Sequence, residues 1–83
     1  MHYVYILRSD DHLSQYYTGC TADLRSRLEA HNAGRVPHTA KFKPWTLSSY
    51  HAFAEKAVAI AFEQYLKSGS GRAFASRHLR PTP

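Results

Sequence analysis

The chain has 83 residues and a mass of 9.5 kDa, the size of one small domain with a thin core. Hydrophobic residues make up 43% and charged residues 20%, which argues against disorder and coiled coil, and no apolar run approaches the roughly 20 residues that span a bilayer. Eleven Lys and Arg against six Asp and Glu leave a net charge of +5, a balance suited to phosphate polymers that does not separate DNA from RNA.

The start, Met1 to Arg8, lacks a basic leader and a small-residue cleavage site, so no signal peptide is expected. The single cysteine, Cys20, excludes an internal disulfide and a multi-thiolate metal cage. A cytoplasmic location is the simplest expectation. Tyr3 to Leu7 is aromatic and β-branched, which predicts a strand. A polar loop over Ser9 to Ser14 precedes a second strand, Gln15 to Cys20, expected to pair antiparallel with the first. Thr21 is the expected N-cap of a helix running from about Ala22 to Asn32, with Gly34 placed to stop it.

Arg35 to Pro44 is basic and interrupted by two prolines, which predicts a loop. Trp45 to Phe53 has strand composition. Ala54 to Ser68 is the strongest helix, with Val58, Ala61, Phe62, Tyr65 and Leu66 as its expected core stripe. Gly69-Ser70-Gly71 is expected to end it. A short helix from Arg72 to Leu79 and a frayed Pro81-Thr82-Pro83 tail follow. The expected fold is α+β: one domain over 1–83, with a small three-stranded antiparallel sheet flanked by helices in the order β-β-α-β-α-α.

Several residues stand out chemically. Tyr3 and Tyr5 share one face of their strand, and a tyrosine of the Tyr16-Tyr17 pair can meet them across the sheet. Arg27 and His31 are i and i+4, stacked on one helix face beside the Leu24 and Leu28 core stripe. Glu63 interrupts an apolar run that suggests a helix contacted on more than one side. A carboxylate there calls for a partner, either a metal or Lys67 four residues on. The histidines show no zinc-binding spacing. The Arg35 to Lys43 segment, with Lys41, interleaves charge and aromatics up to Trp45, a pattern suited to a nucleic-acid strand. Gly69-Ser70-Gly71 with Arg72 either stops a helix or offers backbone amides to a phosphate.

Tyr3-Val4-Tyr5, then Tyr17-Thr18-Gly19, then Asp23-Leu24-x-x-Arg27-Leu28-x-x-His31, then a helix carrying Glu63, together resemble the GIY-YIG nuclease superfamily, most closely its small stand-alone bacterial branch. The likeness runs from Tyr3 to about Leu79. It implies the fold expected above, with Tyr5 and Tyr17 as the motif tyrosines and Gly19 as the glycine that lets the chain turn into the helix. It also implies Arg27 as the catalytic arginine, His31 as a branch-typical histidine and Glu63 as the metal ligand. Tyr3 stands in place of the first motif's glycine and Thr18 in place of an isoleucine. Many members carry an asparagine after the glutamate, whereas the one asparagine here is Asn32.

The resemblance implies a divalent-metal-dependent endonuclease, using Mg²⁺ or Mn²⁺, that cleaves nucleic acid. DNA read by structure rather than sequence is the expected substrate. Arg27 would grip the phosphate oxygens as charge builds on them. Tyr5 is the expected general base, helped by positive charge from Arg27 or by a metal-bound water, with Tyr17 as its hydrogen-bonding partner. The alternative is a catalytically silent nucleic-acid-binding module. The presence of both Arg27 and Glu63 speaks against it.

Overall fold

Tyrosine, valine and isoleucine near the start favour extended backbone, and the first strand, β1, runs over His2–Ser9. This computed structural model describes residues 1–80, so the expected frayed tail lies outside the described residues. β2 is Tyr16–Thr21 and β3 is Trp45–Phe53. All pairings are antiparallel, in the order β2-β1-β3. β1 is therefore central, and its run Val4-Tyr5-Ile6-Leu7 is buried throughout. Alternation sends Val4 and Ile6 to one face and Tyr5 and Leu7 to the other.

Helices cover both faces. The helices are α1 (Leu24–Asn32), a single turn α2 (Pro37–Ala40), α3 (Lys56–Lys67) and α4 (Gly69–His78). Leu24 and Leu28 of α1 pack with Tyr5, Leu7 and Trp45 on what we term the first face. Ala59 and Leu66 of α3 and Ala75 of α4 pack with Val4 and Ile6 on the second. The expected order β-β-α-β-α-α is observed, with α2 as an added turn. No helix among the described residues is long and apolar enough to cross a membrane.

Several local expectations are corrected. The cap of α1 is Asp23, whose carboxylate accepts from the Ser26 amide at 3.0 Å. Thr21 instead receives the Asp23 amide at 3.1 Å, so the helix starts at Leu24 rather than Ala22. Gly34 does stop it, at φ 77°, a conformation that costs glycine little. The basic loop contains α2, opened by Pro37, whose fixed φ suits a first helical position. Gly69-Ser70-Gly71 does not form a turn: Ser68 ends α3 and at once caps α4, accepting the Gly71 amide at 3.2 Å.

The stripe of α3 is also shifted in phase. Ala59, Phe62 and Leu66 face the sheet, while Val58 is 47% and Tyr65 42% exposed. The helix meets the sheet on one side and α4 on another, as its apolar run suggested, while Val58, Ile60 and Tyr65 stay partly exposed. An almost uniformly apolar segment carries little phase information. Ala59, fully buried against Val4 and Ile6, marks the side of the helix that meets the sheet.

Candidate active site

Tyr5 points into the first face from the middle of β1 and is 1% exposed. Opposite it in register stands Gly19 of β2. A Cβ at position 19 would overlap the Tyr5 hydroxyl and ring. The glycine therefore makes room for a buried tyrosine inside the strand, not for the turn into α1. This is a physical reason for a tyrosine and a glycine to occur as a pair across two strands.

The Tyr5 hydroxyl lies 2.8 Å from His31 Nε2. Helix α1 places His31 above it, fully buried. On the other side of the ring, Nδ1 is 2.8 Å from Thr39 Oγ1. Thr39 sits in α2 and donates its hydroxyl hydrogen to the Val36 carbonyl at 3.3 Å. With its one proton so used, Thr39 accepts from His31 Nδ1–H. Nε2 is then the bare nitrogen, and Tyr5 donates to it. Tyr5, His31, Thr39 and Val36 form one directed chain with a defined tautomer.

Tyr17 contacts the same group differently from expectation. Its ring packs on His31, with centroids 4.9 Å apart, and stands 6.3 Å from the Tyr5 ring. No hydrogen bond joins the two tyrosines among the described residues. His31, not Tyr17, is the partner of Tyr5. The reason is depth: His31 is fully buried and reaches the hydroxyl from above, whereas Tyr17 is only half-buried beside it.

Arg27, one turn before His31 on α1, is half-buried and bears on both tyrosine hydroxyls. Its hydrogen-bonding approach to Tyr5 makes it a stronger base than a free arginine, outweighing the burial that opposes this. Burial raises the Tyr5 pKa above its ordinary value of 10.0, although Arg27 pulls the other way. Burial, and then the Arg27 cation, lower the His31 pKa below 6.5. His31 is accordingly a neutral acceptor at neutral pH, in agreement with its hydrogen bonds.

Glu63 comes from α3, on the second face. Its carboxylate is 3.0 Å from Lys67 Nζ, and its side chain is 19% exposed. The same Nζ lies 5.9 Å from the centre of the Tyr17 ring. Lys67 thus bridges the two faces around the free edge of β2. Among the described residues no three His, Cys, Asp or Glu side chains gather in a cluster able to hold a metal. One carboxylate suits a hard cation that keeps most of its waters, as Mg²⁺ does, and not a caged zinc.

The four expected nucleic-acid contacts separate into two places. Arg35, Lys41 and Lys43 are exposed around α2, with Lys41 Nζ 5.1 Å above the Phe42 ring. Arg72 lines a cleft with Tyr16, Tyr17 and Lys67 at the β2 edge.

A sequence model of the GIY-YIG catalytic domain matches residues 1–76. The chain belongs to the GIY-YIG family. It is also similar to proteins designated UPF0213. One, from Streptococcus pyogenes serotype M5, is 35% identical over 71 residues, 84% of this chain and 75% of the relative. Another, from Halobacterium salinarum, is 37% identical over 68 residues, 81% of this chain and 86% of the relative. The solution NMR structure of a UPF0213 protein from Bacillus halodurans aligns with a TM-score of 0.57 and 32% identity, covering 96% of this chain and 87% of that one.

Two residues of this GIY-YIG protein escape a reading of the sequence alone. Thr39 lies in what reads as a basic loop, yet it orients His31. Asn32 clamps the start of β3, its Nδ2 donating to the Trp45 carbonyl at 3.0 Å and its Oδ1 accepting the Trp45 amide. A β-branched residue followed by proline and, two positions on, threonine was the available signal for α2. Nothing local marks Asn32, whose partner lies 13 residues away.

Proposed function

We propose that this GIY-YIG nuclease-family protein hydrolyses phosphodiester bonds in DNA with the help of a divalent cation. The directed chain from Tyr5 through His31 to Thr39 carries the reading. A buried phenol does not ionise unaided near neutral pH, because burial penalises the phenolate. It can still accept a proton from water if it releases its own in the same event. Neutral His31 Nε2, 2.8 Å away, is there to receive it. As the water oxygen bonds to phosphorus and the bridging P–O bond breaks, one proton moves from water to Tyr5 and another from Tyr5 to His31. The imidazolium so formed keeps its Nδ1–H bond to Thr39.

Arg27 supplies fixed positive charge beside both tyrosines, where phosphate oxygens gain negative charge in the transition state. Glu63 would hold the cation, which when bound neutralises phosphate oxygens and stabilises the leaving oxygen. Lys67 now occupies that carboxylate, so cation binding requires the Glu63–Lys67 pair to part. The partly exposed setting makes that cheap.

The test is cleavage of branched, nicked, flapped and plain duplex DNA, with RNA alongside, in Mg²⁺, in Mn²⁺ and in chelator. Metal-dependent cleavage of at least one DNA supports the reading. Binding without cleavage under every condition favours the silent binding module.

A further inference from the structure

Among the described residues, the buried side-chain polar atoms with no partner are Arg8 Nε, Ser49 Oγ, His51 Nε2 and Arg80 Nε. All of them belong to the second face or to the chain just beyond α4. Ile6 and Ser49 pair across the sheet, as do Val4 and His51 and also Arg8 and Thr46. Paired residues share a face, which puts Ser49, His51 and Arg8 on the side of Val4 and Ile6. Buried donors are rarely left idle. The two arginines flank a groove of about 570 Å³ between β3 and the end of α4.

The groove is chemically suited to an anion. An arginine Nε–H can only donate, so each needs an acceptor. Asp10 also lines the groove; its Oδ1 accepts the Thr46 hydroxyl at 2.6 Å, and it makes no ion pair with either arginine. No carboxylate lies within ion-pair distance of either arginine among the described residues. Arg80 Cζ lies 4.3 Å from the centre of the Tyr16 ring, a cation–π contact that tethers its guanidinium beside the groove. Arg80 also lines the neighbouring cleft with Tyr17, Lys67 and Arg72. One guanidinium therefore joins the groove to the edge where the candidate active site opens.

We infer that Arg8 and Arg80 bind a backbone phosphate of the strand undergoing cleavage, away from the scissile bond, as a second anchoring subsite. The identity of the ligand rests on the nuclease reading, whereas the groove and its idle donors stand apart from it. The side chains of Arg8 and Arg80 line the groove, and a small turn of each brings its buried Nε–H to a phosphodiester that extends along Arg80 into the cleft.

Arginine Nε–H resonances report on the contact directly. They can be followed in the unmodified protein, in chelator so that nothing is cleaved, with peaks assigned from Arg8→Lys and Arg80→Lys. A single-stranded DNA oligonucleotide should shift both resonances saturably, and inorganic phosphate or a mononucleotide should do so only at far higher concentration. Arg8→Gln and Arg80→Gln should each reduce the salt slope of single-strand binding by about 0.7 and raise KM without changing kcat at saturation. Unmoved Nε–H signals in a protein that binds DNA would overturn the inference. So would phosphate saturating both arginines where DNA fails to displace it, since the groove would then serve a small phosphate compound. DNA shifting both arginines in a protein that cleaves nothing would uphold the groove and remove the nuclease reading.

Discussion

The two faces of the sheet treat buried polarity in opposite ways. On the first face every buried polar side chain described has a partner: Tyr5 with His31, His31 with Thr39, Ser9 with the Phe42 carbonyl at 2.7 Å and the Trp45 indole with the Thr39 carbonyl at 3.0 Å. On the second face Arg8, Ser49, His51 and Arg80 hold idle atoms. A satisfied network is rigid and sets a proton's direction before any substrate arrives. An unsatisfied one has capacity left for a ligand. Under the proposed function, proton chemistry falls to the first face and anchoring to the second, with Glu63 and Lys67 at the edge between them.

The largest expected effect tests that division at its border. Glu63→Ala should abolish metal-dependent cleavage while leaving DNA binding intact or slightly stronger, because one negative charge leaves a basic edge. If the Glu63–Lys67 pair were only a helix salt bridge, activity would survive and stability would fall by less than about 0.5 kcal/mol. Cleavage, binding and melting measured on one preparation separate the two results.

Tyr5→Phe removes the first link of the chain and should slow cleavage by roughly two to four orders of magnitude. Tyr17→Phe should cost less, because Tyr17 packs on His31 without taking part in the directed hydrogen bonds. Gly19→Ala offers a check that removes no reacting group but shifts one. The added methyl displaces the Tyr5 ring, so kcat should fall with the chemistry of the residues unchanged. A Gly19→Ala enzyme with ordinary kcat would show that the position of Tyr5 does not matter.

How far the sequence disclosed this arrangement depended on the range of each interaction. Strand chemistry around Val4 to Leu7 and the i, i+4 pairing of Arg27 with His31 are local, and both were legible. The link from Tyr5 to His31 spans 26 residues, so Tyr17, nearer in register, was the natural but incorrect partner. Thr39 was hidden because its segment reads by composition as a basic loop, and one helical turn leaves almost no periodic trace. The groove at Arg8 and Arg80 needed the bulge between Ile6 and Leu7 in the β1–β3 register and the end of α4, neither visible in composition.

Thr39→Val sharpens the comparison further, because it unsettles the first face without touching a reacting group. His31 Nδ1–H loses its acceptor and the tautomer is no longer specified. We expect about a tenfold loss in kcat, a second-contact effect of the size seen when an orienting partner is removed, with KM little changed. Thr39→Ser restores the hydroxyl and should recover most of the rate. A valine variant as active as the parent would mean that the tautomer is set without Thr39.

The smallest effect is in stability against pH, and its sign follows from His31. Burial and the Arg27 cation hold the folded-state pKa below the ordinary 6.5. Between the folded value and 6.5 the unfolded chain binds more protons than the native one, so acid favours unfolding. The contribution of neutral His31 is complete above about pH 6.5 and is lost as the pH falls toward the folded pKa. Each kcal/mol lost should lower Tm by about 4–8 °C in a domain of this size. His31→Gln, which cannot titrate, should start from a lower Tm at neutral pH but show a shallower fall between neutrality and mild acid. Cleavage by the parent should decline over the same acid limb, because a protonated Nε2 cannot accept from Tyr5. Parallel acid limbs for parent and His31→Gln would mean that a group other than His31 governs the acid response.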